Sequence, residues 1–139
     1  MSRVLISGTF NLLHPGHVQL IEYGASFGQV TVAINSQEYL ERKYGDLAVA
    51  QEHREYILRA IKWVDDVVVF TEEHPGWLIE RLRPDFYVRG PDYRSVVLPE
   101  QEYLDRAGSQ LVIFPGKKIY NGSDLKHTLE VDRPKSIRS

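Results

Sequence analysis

Val4-Leu5-Ile6-Ser7-Gly8-Thr9-Phe10-Asn11-Leu12-Leu13-His14-Pro15-Gly16-His17 is the stretch that decides the fold. It opens as a short β-rich run from Val4 to Ser7 and stops at Gly8, where a residue without a Cβ lets the backbone turn sharply. Pro15 and Gly16 then introduce a helical pattern to about Phe27, with Val18, Leu20 and Ile21 on its apolar face and Gly28 as its stop. His17 falls in the first helical turn, where unpaired N–H groups and the positive end of the dipole favour phosphate. His14 stands three residues earlier and can converge with it on one anion.

Outward from this segment the chain alternates strand and helix. Val30 to Ile34 is a continuous β-branched run, the mark of a strand buried on both faces. Asn35 or Ser36 caps a short helix, and residues 42–51 read as a loop. Glu52 to Val64 carries Tyr56, Ile57, Ala60, Ile61 and Val64 at helical spacing. Val67 to Phe70 is a third strand, Pro75 opens a helix through Trp77, Leu78 and Leu82, and Pro84 ends it. Phe86 to Val88 is a fourth strand, running into Arg89-Gly90-Pro91-Asp92-Tyr93. Pro99 to Ala107 reads as a helix stopped by Gly108, Leu111 to Phe114 as a fifth strand, and Ser123 to about Glu130 as a last short helix. The expectation is one α/β domain, a Rossmann-like doubly wound five-stranded parallel sheet over 1–131, with a polar tail at 132–139. Ligands of such sheets bind beyond the carboxyl ends of the strands, which places the segments after the first and fourth strands on one edge.

Composition narrows the function. The chain has 139 residues, 42% hydrophobic and 26% charged, with net charge −2, which gives no general attraction to nucleic acid or anionic membrane. No cysteine is present, so disulfides, thiolate metal sites and a cysteine nucleophile are excluded, and a reducing, cytoplasmic setting is expected. The opening apolar run is too short for a signal peptide, and no stretch approaches the ~18 apolar residues that span a bilayer. His14 and His17 lack a third ligand of convincing spacing for zinc, and His53, His74 and His127 read as ordinary surface or core residues. Two imidazoles, helix-end amides and a nearby cation instead suit phosphoryl transfer, which needs alignment and donors more than covalent help. Mg2+ would arrive on the nucleotide, since no protein cage for it is visible.

Gly8 to His17 resembles the GTFDxLHxGH signature of the cytidylyltransferase-like nucleotidyltransferases. The resemblance spans most of residues 3–125. Val32-Ala33-Ile34-Asn35-Ser36 is similar to the family's second-strand end, and Gln51-Glu52-His53-Arg54 to the opening of its following helix. Val64-Asp65-Asp66-Val67-Val68 is similar to its approach to the third strand. Arg83 to Tyr93 is similar to the PDxxVKGGDY segment of the heptose 1-phosphate adenylyltransferases, of which the glycerol-3-phosphate cytidylyltransferases carry a looser version. The resemblance implies an enzyme that joins a nucleoside monophosphate from ATP, or alternatively CTP, to a phosphorylated sugar or polyol, with pyrophosphate released. It implies that His14 and His17 stabilise the triphosphate and that Lys43 reaches the α-phosphate and acceptor phosphate. The resemblance likewise implies that Gly8, Thr9, Phe10, Asn11 and Gly16 bind the nucleotide. Arg54 matches an arginine facing the site, Arg89, Gly90 and Asp92 match the loop of the nucleoside pocket, and Ser123 can donate to phosphate. It also implies a homodimer. The plain alternative for Lys43 and Arg54 is a solvated face, and for Asp92 an Asx turn beside Pro91.

Two positions depart from the family pattern. Asn11 stands where Asp is usual, which keeps hydrogen bonding and loses the charge. Ile119-Tyr120-Asn121-Gly122-Ser123-Asp124 replaces the usual Ser-Thr-Thr segment, with Lys117 and Lys118 nearby to offset Asp124. These departures motivate a second reading, a nucleotide-binding module without catalysis.

Overall fold

The computed structural model describes residues 2–91 and 98–116. Strand β1 (Arg3–Gly8) leads to helix α1 (Pro15–Ala25), then β2 (Gln29–Asn35), α2 (Gln37–Tyr44), a 3-10 turn (Gly45–Leu47) and α3 (Gln51–Arg59). Strand β3 (Asp66–Phe70), α4 (Gly76–Leu82), β4 (Phe86–Arg89), α5 (Gln101–Ala107) and β5 (Gln110–Ile113) follow. The five strands pair in parallel in the order β3-β2-β1-β4-β5. The chain winds outward from β1 to β3, then returns to β4 on the other side of β1. The winding therefore reverses between β1 and β4, and the crevice expected of such a sheet lies above their carboxyl ends.

Side chains alternate across the sheet and build a core on each face. Val4 and Ile6 of β1 join Ile21 of α1, Val32 of β2 and Leu58 of α3 on one face. Leu5 joins Phe70 of β3, Leu78 and Ile79 of α4, Tyr87 of β4 and Leu104 of α5 on the other. Helices cover both faces, which is why the inner strands read as unbroken apolar runs.

The doubly wound parallel sheet agrees with the sequence, and the element boundaries shift for local reasons. Residues 42–51 hold the last turn of α2, the 3-10 turn and the first residue of α3, so only 48–50 are left as irregular chain. Gly45 ends α2 at φ +57, a conformation that favours glycine. The pattern from Glu52 to Val64 is helical only to Arg59, because bonds from Ile61 to Leu58 and from Val64 to Ile61 tighten the chain into i→i+3 turns. Its face also differs from the sequence pattern: Arg54 and Leu58 are buried, while Tyr56 and Ile57 are exposed. Helix α1 ends two residues before Phe27. Gly28 is required for a different reason than a helix stop, since a Cβ there would sit 2.2 Å from the Ser2 carbonyl oxygen. The helix expected from Pro99 starts at Gln101, and Gly108 stops it at φ +71 as expected. The last helix at 123–130, the tail at 132–139 and the domain limit at residue 131 lie outside the described residues.

The Ser2 carbonyl also accepts from Gln29 N at 2.9 Å, so it cannot retreat without breaking that bond. Gly28→Ala is expected to cost about 2 kcal/mol, the usual scale for forcing an extra carbon into a packed site. Urea denaturation of the variant against the parent chain measures it.

Candidate functional site

The loop from Thr9 to His14 crosses the carboxyl end of β1. Phe10 adopts φ +48, unusual for a residue with a Cβ, while its ring is buried in the core. Gly8 makes this possible, because a Cβ there would meet the Phe10 ring at 3.1 Å. Gly8 ends β1 without a positive φ, and what its missing Cβ provides is space for the ring. Beside buried Phe10, Gly8 and Thr9 line the crevice.

At the start of α1 the two histidines cap the helix. The Gly16 N–H donates to His14 Nδ1 at 3.1 Å, and the His14 N–H donates to His17 Nδ1 at 3.3 Å. The rings stack with centroids 3.9 Å apart and 24° between planes, and Phe10 meets His17 edge-on at 5.0 Å. A ring whose Nδ1 accepts a bond carries its proton, when neutral, on Nε2. The backbone therefore sets both neutral rings as Nε2–H donors. Gly16 contributes its N–H to His14 in this arrangement.

Two further side chains fix the loops around that cap. Arg54 is 1% exposed and donates through Nε to the Val49 carbonyl and through Nη1 to the Thr9 and Asn35 carbonyls, at 3.1, 3.1 and 2.8 Å. It thereby ties the ends of β1 and β2 to the start of α3. Burial pulls its pKa below the usual arginine value, and neighbouring Glu55 opposes the shift. The Asn11 amide donates to the Leu47 carbonyl at 3.0 Å and accepts from the Val49 N–H at 2.7 Å. A carboxylate at this position could make the second bond but not the first. Lys43, in the last turn of α2 just before this pinned segment, is exposed, with its ammonium 5.4 Å from the Tyr44 ring centroid. The Tyr44 hydroxyl in turn lies 3.4 Å from Thr9 Oγ1.

Between β1 and β4 lies a polar network. Arg89 Nη1 donates to Ser7 Oγ at 2.8 Å and to the Tyr87 hydroxyl at 3.1 Å. Tyr87 donates to Glu100 Oε2 at 2.5 Å, and Ser7 Oγ lies 2.6 Å from the Tyr87 oxygen. Glu100, 2% exposed, also faces Arg89 at 3.7 Å. Burial raises the Tyr87 pKa above the phenol range, aided by the Glu100 carboxylate and opposed by the Arg89 cation.

Two cavities meet over this network. The larger, about 410 Å³, has Lys43 and His74 in its walls. The smaller, about 160 Å³, is lined by Phe10, His17 and Gly90. Ser7, Gly8, Thr9 and Arg89 line both. Among the described residues no group of three or more His, Asp or Glu side chains could hold a metal ion, and no helix is long and apolar enough to cross a membrane.

Residues 5–129 match the cytidylyltransferase-like family. The chain belongs to that family. It is 37% identical over 116 residues to the D-beta-D-heptose 1-phosphate adenylyltransferase of Bordetella bronchiseptica, covering 81% of this chain and 72% of that one. It is 38% identical over 115 residues to the bifunctional protein HldE of Streptomyces coelicolor, covering 81% of this chain and 25% of the relative. The chain thus spans about a quarter of the length of the bifunctional relatives it matches. A lipopolysaccharide core biosynthesis protein from Thermoplasma volcanium shares the fold at TM-score 0.67 and 21% identity, over 87% of this chain and 99% of that one. Pantothenate synthetase from Thermus thermophilus shares it at TM-score 0.58 and 15% identity, over 84% of this chain and 56% of that one.

In this cytidylyltransferase-like chain, the residues singled out in the sequence divide into two groups. Gly8, Thr9, Phe10, His17, Lys43, Arg89 and Gly90 line the two cavities, and His14 stacks against His17. Arg54, Asn11 and Gly16 hold the surrounding backbone. Asp92 and Ser123 lie outside the described residues. The sequence reading missed Ser7, Tyr87, Glu100 and His74, all on or under the cavity walls. Tyr87 gave one signal, a hydroxyl in the middle of an otherwise apolar strand.

Tyr87→Phe removes the donor to a buried carboxylate and is expected to cost about 2 kcal/mol near neutral pH. A raised phenol pKa stabilises the fold fully below the unfolded value, ~10, and loses that contribution as pH rises beyond it. The deficit of Tyr87→Phe is therefore expected to narrow above pH ~10, as measured by thermal melts from pH 8 to 11.

Proposed function

We propose that the chain is a nucleotidyltransferase that moves a nucleoside monophosphate from ATP to a phosphorylated sugar or polyol, with release of pyrophosphate. The observation that carries this reading is the pair of imidazoles held by backbone N–H groups as Nε2–H donors at the β1–α1 junction. Donors fixed before the reaction stabilise charge on a transferring phosphoryl group without reorganising. The triphosphate then lies against His14 and His17, with its nucleoside toward Gly90 and Arg89. The acceptor enters the larger cavity beside Lys43. An acceptor phosphate oxygen attacks the α-phosphorus in line, the bond from that phosphorus to the β-phosphate oxygen breaks, and pyrophosphate leaves. No protein nucleophile is needed, because a phosphate acceptor is already ionised near neutral pH. Mg2+ enters as part of the nucleotide substrate and neutralises its charge.

The relative named D-beta-D-heptose 1-phosphate adenylyltransferase favours ATP over CTP and a sugar 1-phosphate over glycerol phosphate. The Asn11 amide holds Leu47 and Val49, so its departure from the usual Asp has a structural use near Lys43. The homodimer and the cytoplasmic setting belong to the same proposal. Exposed Leu12 and Leu47 give the former an apolar surface, and the cysteine-free composition suits the latter.

A panel of nucleoside triphosphates and phosphorylated acceptors, scored for Mg2+-dependent pyrophosphate release, tests the reading. Turnover is expected with ATP and a sugar 1-phosphate. His17→Ala is expected to lower it by roughly 10²-fold, the usual cost of one transition-state donor. Nucleotide binding with no release for any acceptor would establish the non-catalytic reading instead.

A further inference from the structure

His-Pro-Gly occurs twice in this chain, at 14–16 after β1 and at 74–76 after β3. Both strands run in the same direction, so both tripeptides stand at the carboxyl edge of the sheet. The local bond is also the same. The Gly76 N–H donates to His74 Nδ1 at 3.1 Å, just as Gly16 donates to His14 at 3.1 Å. The Tyr103 ring packs against the His74 ring with centroids 5.6 Å apart. Gly76 has no room for a Cβ, which would lie 2.4 Å from the Tyr103 ring and 2.8 Å from His74 Cε1. The imidazole is thus held from two sides, and its neutral form carries the proton on Nε2.

This ring lines the larger cavity together with Lys43, Thr9, Arg89 and Glu73. The triphosphate-side histidine, His17, lines the smaller one. We propose that His74 is a substrate-binding residue: with Lys43 it forms the anion-binding wall for the acceptor's phosphate, while Glu73 accepts hydroxyl groups of the acceptor's carbon skeleton. The inference rests on the nucleotidyltransferase reading for the identity of that anion, and it deepens it by assigning His74 and Glu73 to the acceptor. On the triphosphate side the tripeptide's His14 backs the cavity-lining His17 ring by stacking, while on the acceptor side the tripeptide's own His74 lines the cavity. The two anions approach one another across the wall that the two cavities share, formed by Ser7, Gly8, Thr9 and Arg89.

His74→Asn separates binding from structure, because an amide oxygen can take the place of Nδ1 and accept from Gly76 while the Nε2 donor is lost. The melting temperature of the variant is expected to stay near that of the parent. Its KM for a sugar 1-phosphate is expected to rise about tenfold, the scale of one hydrogen bond to a charged group, with KM for ATP unchanged. A purely structural His74 would give the opposite, with unchanged acceptor KM in the Asn variant and a lowered melting temperature in His74→Ala alone. A second readout needs no turnover. Inorganic phosphate is expected to slow modification of His74 by diethyl pyrocarbonate saturably, read by mass spectrometry, and to leave exposed His53 unaffected. Unprotected His74, or an unaltered acceptor KM in His74→Asn, would overturn the proposal. Should no acceptor support pyrophosphate release in the parent chain, the enzyme reading falls while phosphate protection still decides the role of His74.

Discussion

Two backbone N–H groups at the start of α1 donate into imidazole Nδ1 atoms, and this choice of acceptor shapes the site. A helix start leaves several N–H groups without intrahelical partners. Serine or aspartate would satisfy them and end there. Histidine satisfies them with one nitrogen and keeps a second on the far side of the ring, whose protonation state the first bond has already decided. The cap that stabilises α1 is therefore the same interaction that orients the donors. Under the proposed function, the bonds that cap α1 and the bonds that set the donors at His14 and His17 are the same ones.

The surroundings keep that cap in place at some energetic cost. Phe10 holds a left-handed backbone, tolerated because its ring is buried beside Gly8 and against His17. A guanidinium is buried at Arg54, where three carbonyls from three chain segments receive it. Such a cation is expensive to desolvate and more expensive to leave without acceptors, so the three segments are bound to one another through it. The network of Ser7, Tyr87, Arg89 and Glu100 does the same across the β1–β4 crevice. A charged crevice floor is thus obtained with its members paired.

The fold and the first motif were legible because they follow from local pattern. Continuous apolar strands, helices between them and a glycine-punctuated β1–α1 junction leave few other architectures. Boundaries were legible where glycine takes a positive φ, as at Gly108, and not where the glycine serves packing, as at Gly28. The face of α3 was misread for a specific reason. Periodicity assigns buried positions to apolar residues, and Arg54 is buried by its hydrogen bonds, turning Tyr56 and Ile57 to the surface. Arg54 and Asn11 stand out in the sequence as nucleotide-binding candidates, whereas in the structure they bond to backbone carbonyls and one backbone amide of other segments, which no side-chain pattern records. Glu100 and Tyr87 stayed hidden likewise, since pairing across the sheet is a property of topology.

Long-range proton–nitrogen NMR of the imidazole groups, at a pH where they are neutral, addresses the central claim most directly. His14 and His17 are expected to show protonated Nε2 and unprotonated Nδ1, with the Nε2 signals moving when a non-hydrolysable ATP analogue and Mg2+ are added. A Nδ1-protonated ring at either position, or signals indifferent to the nucleotide, would contradict the account.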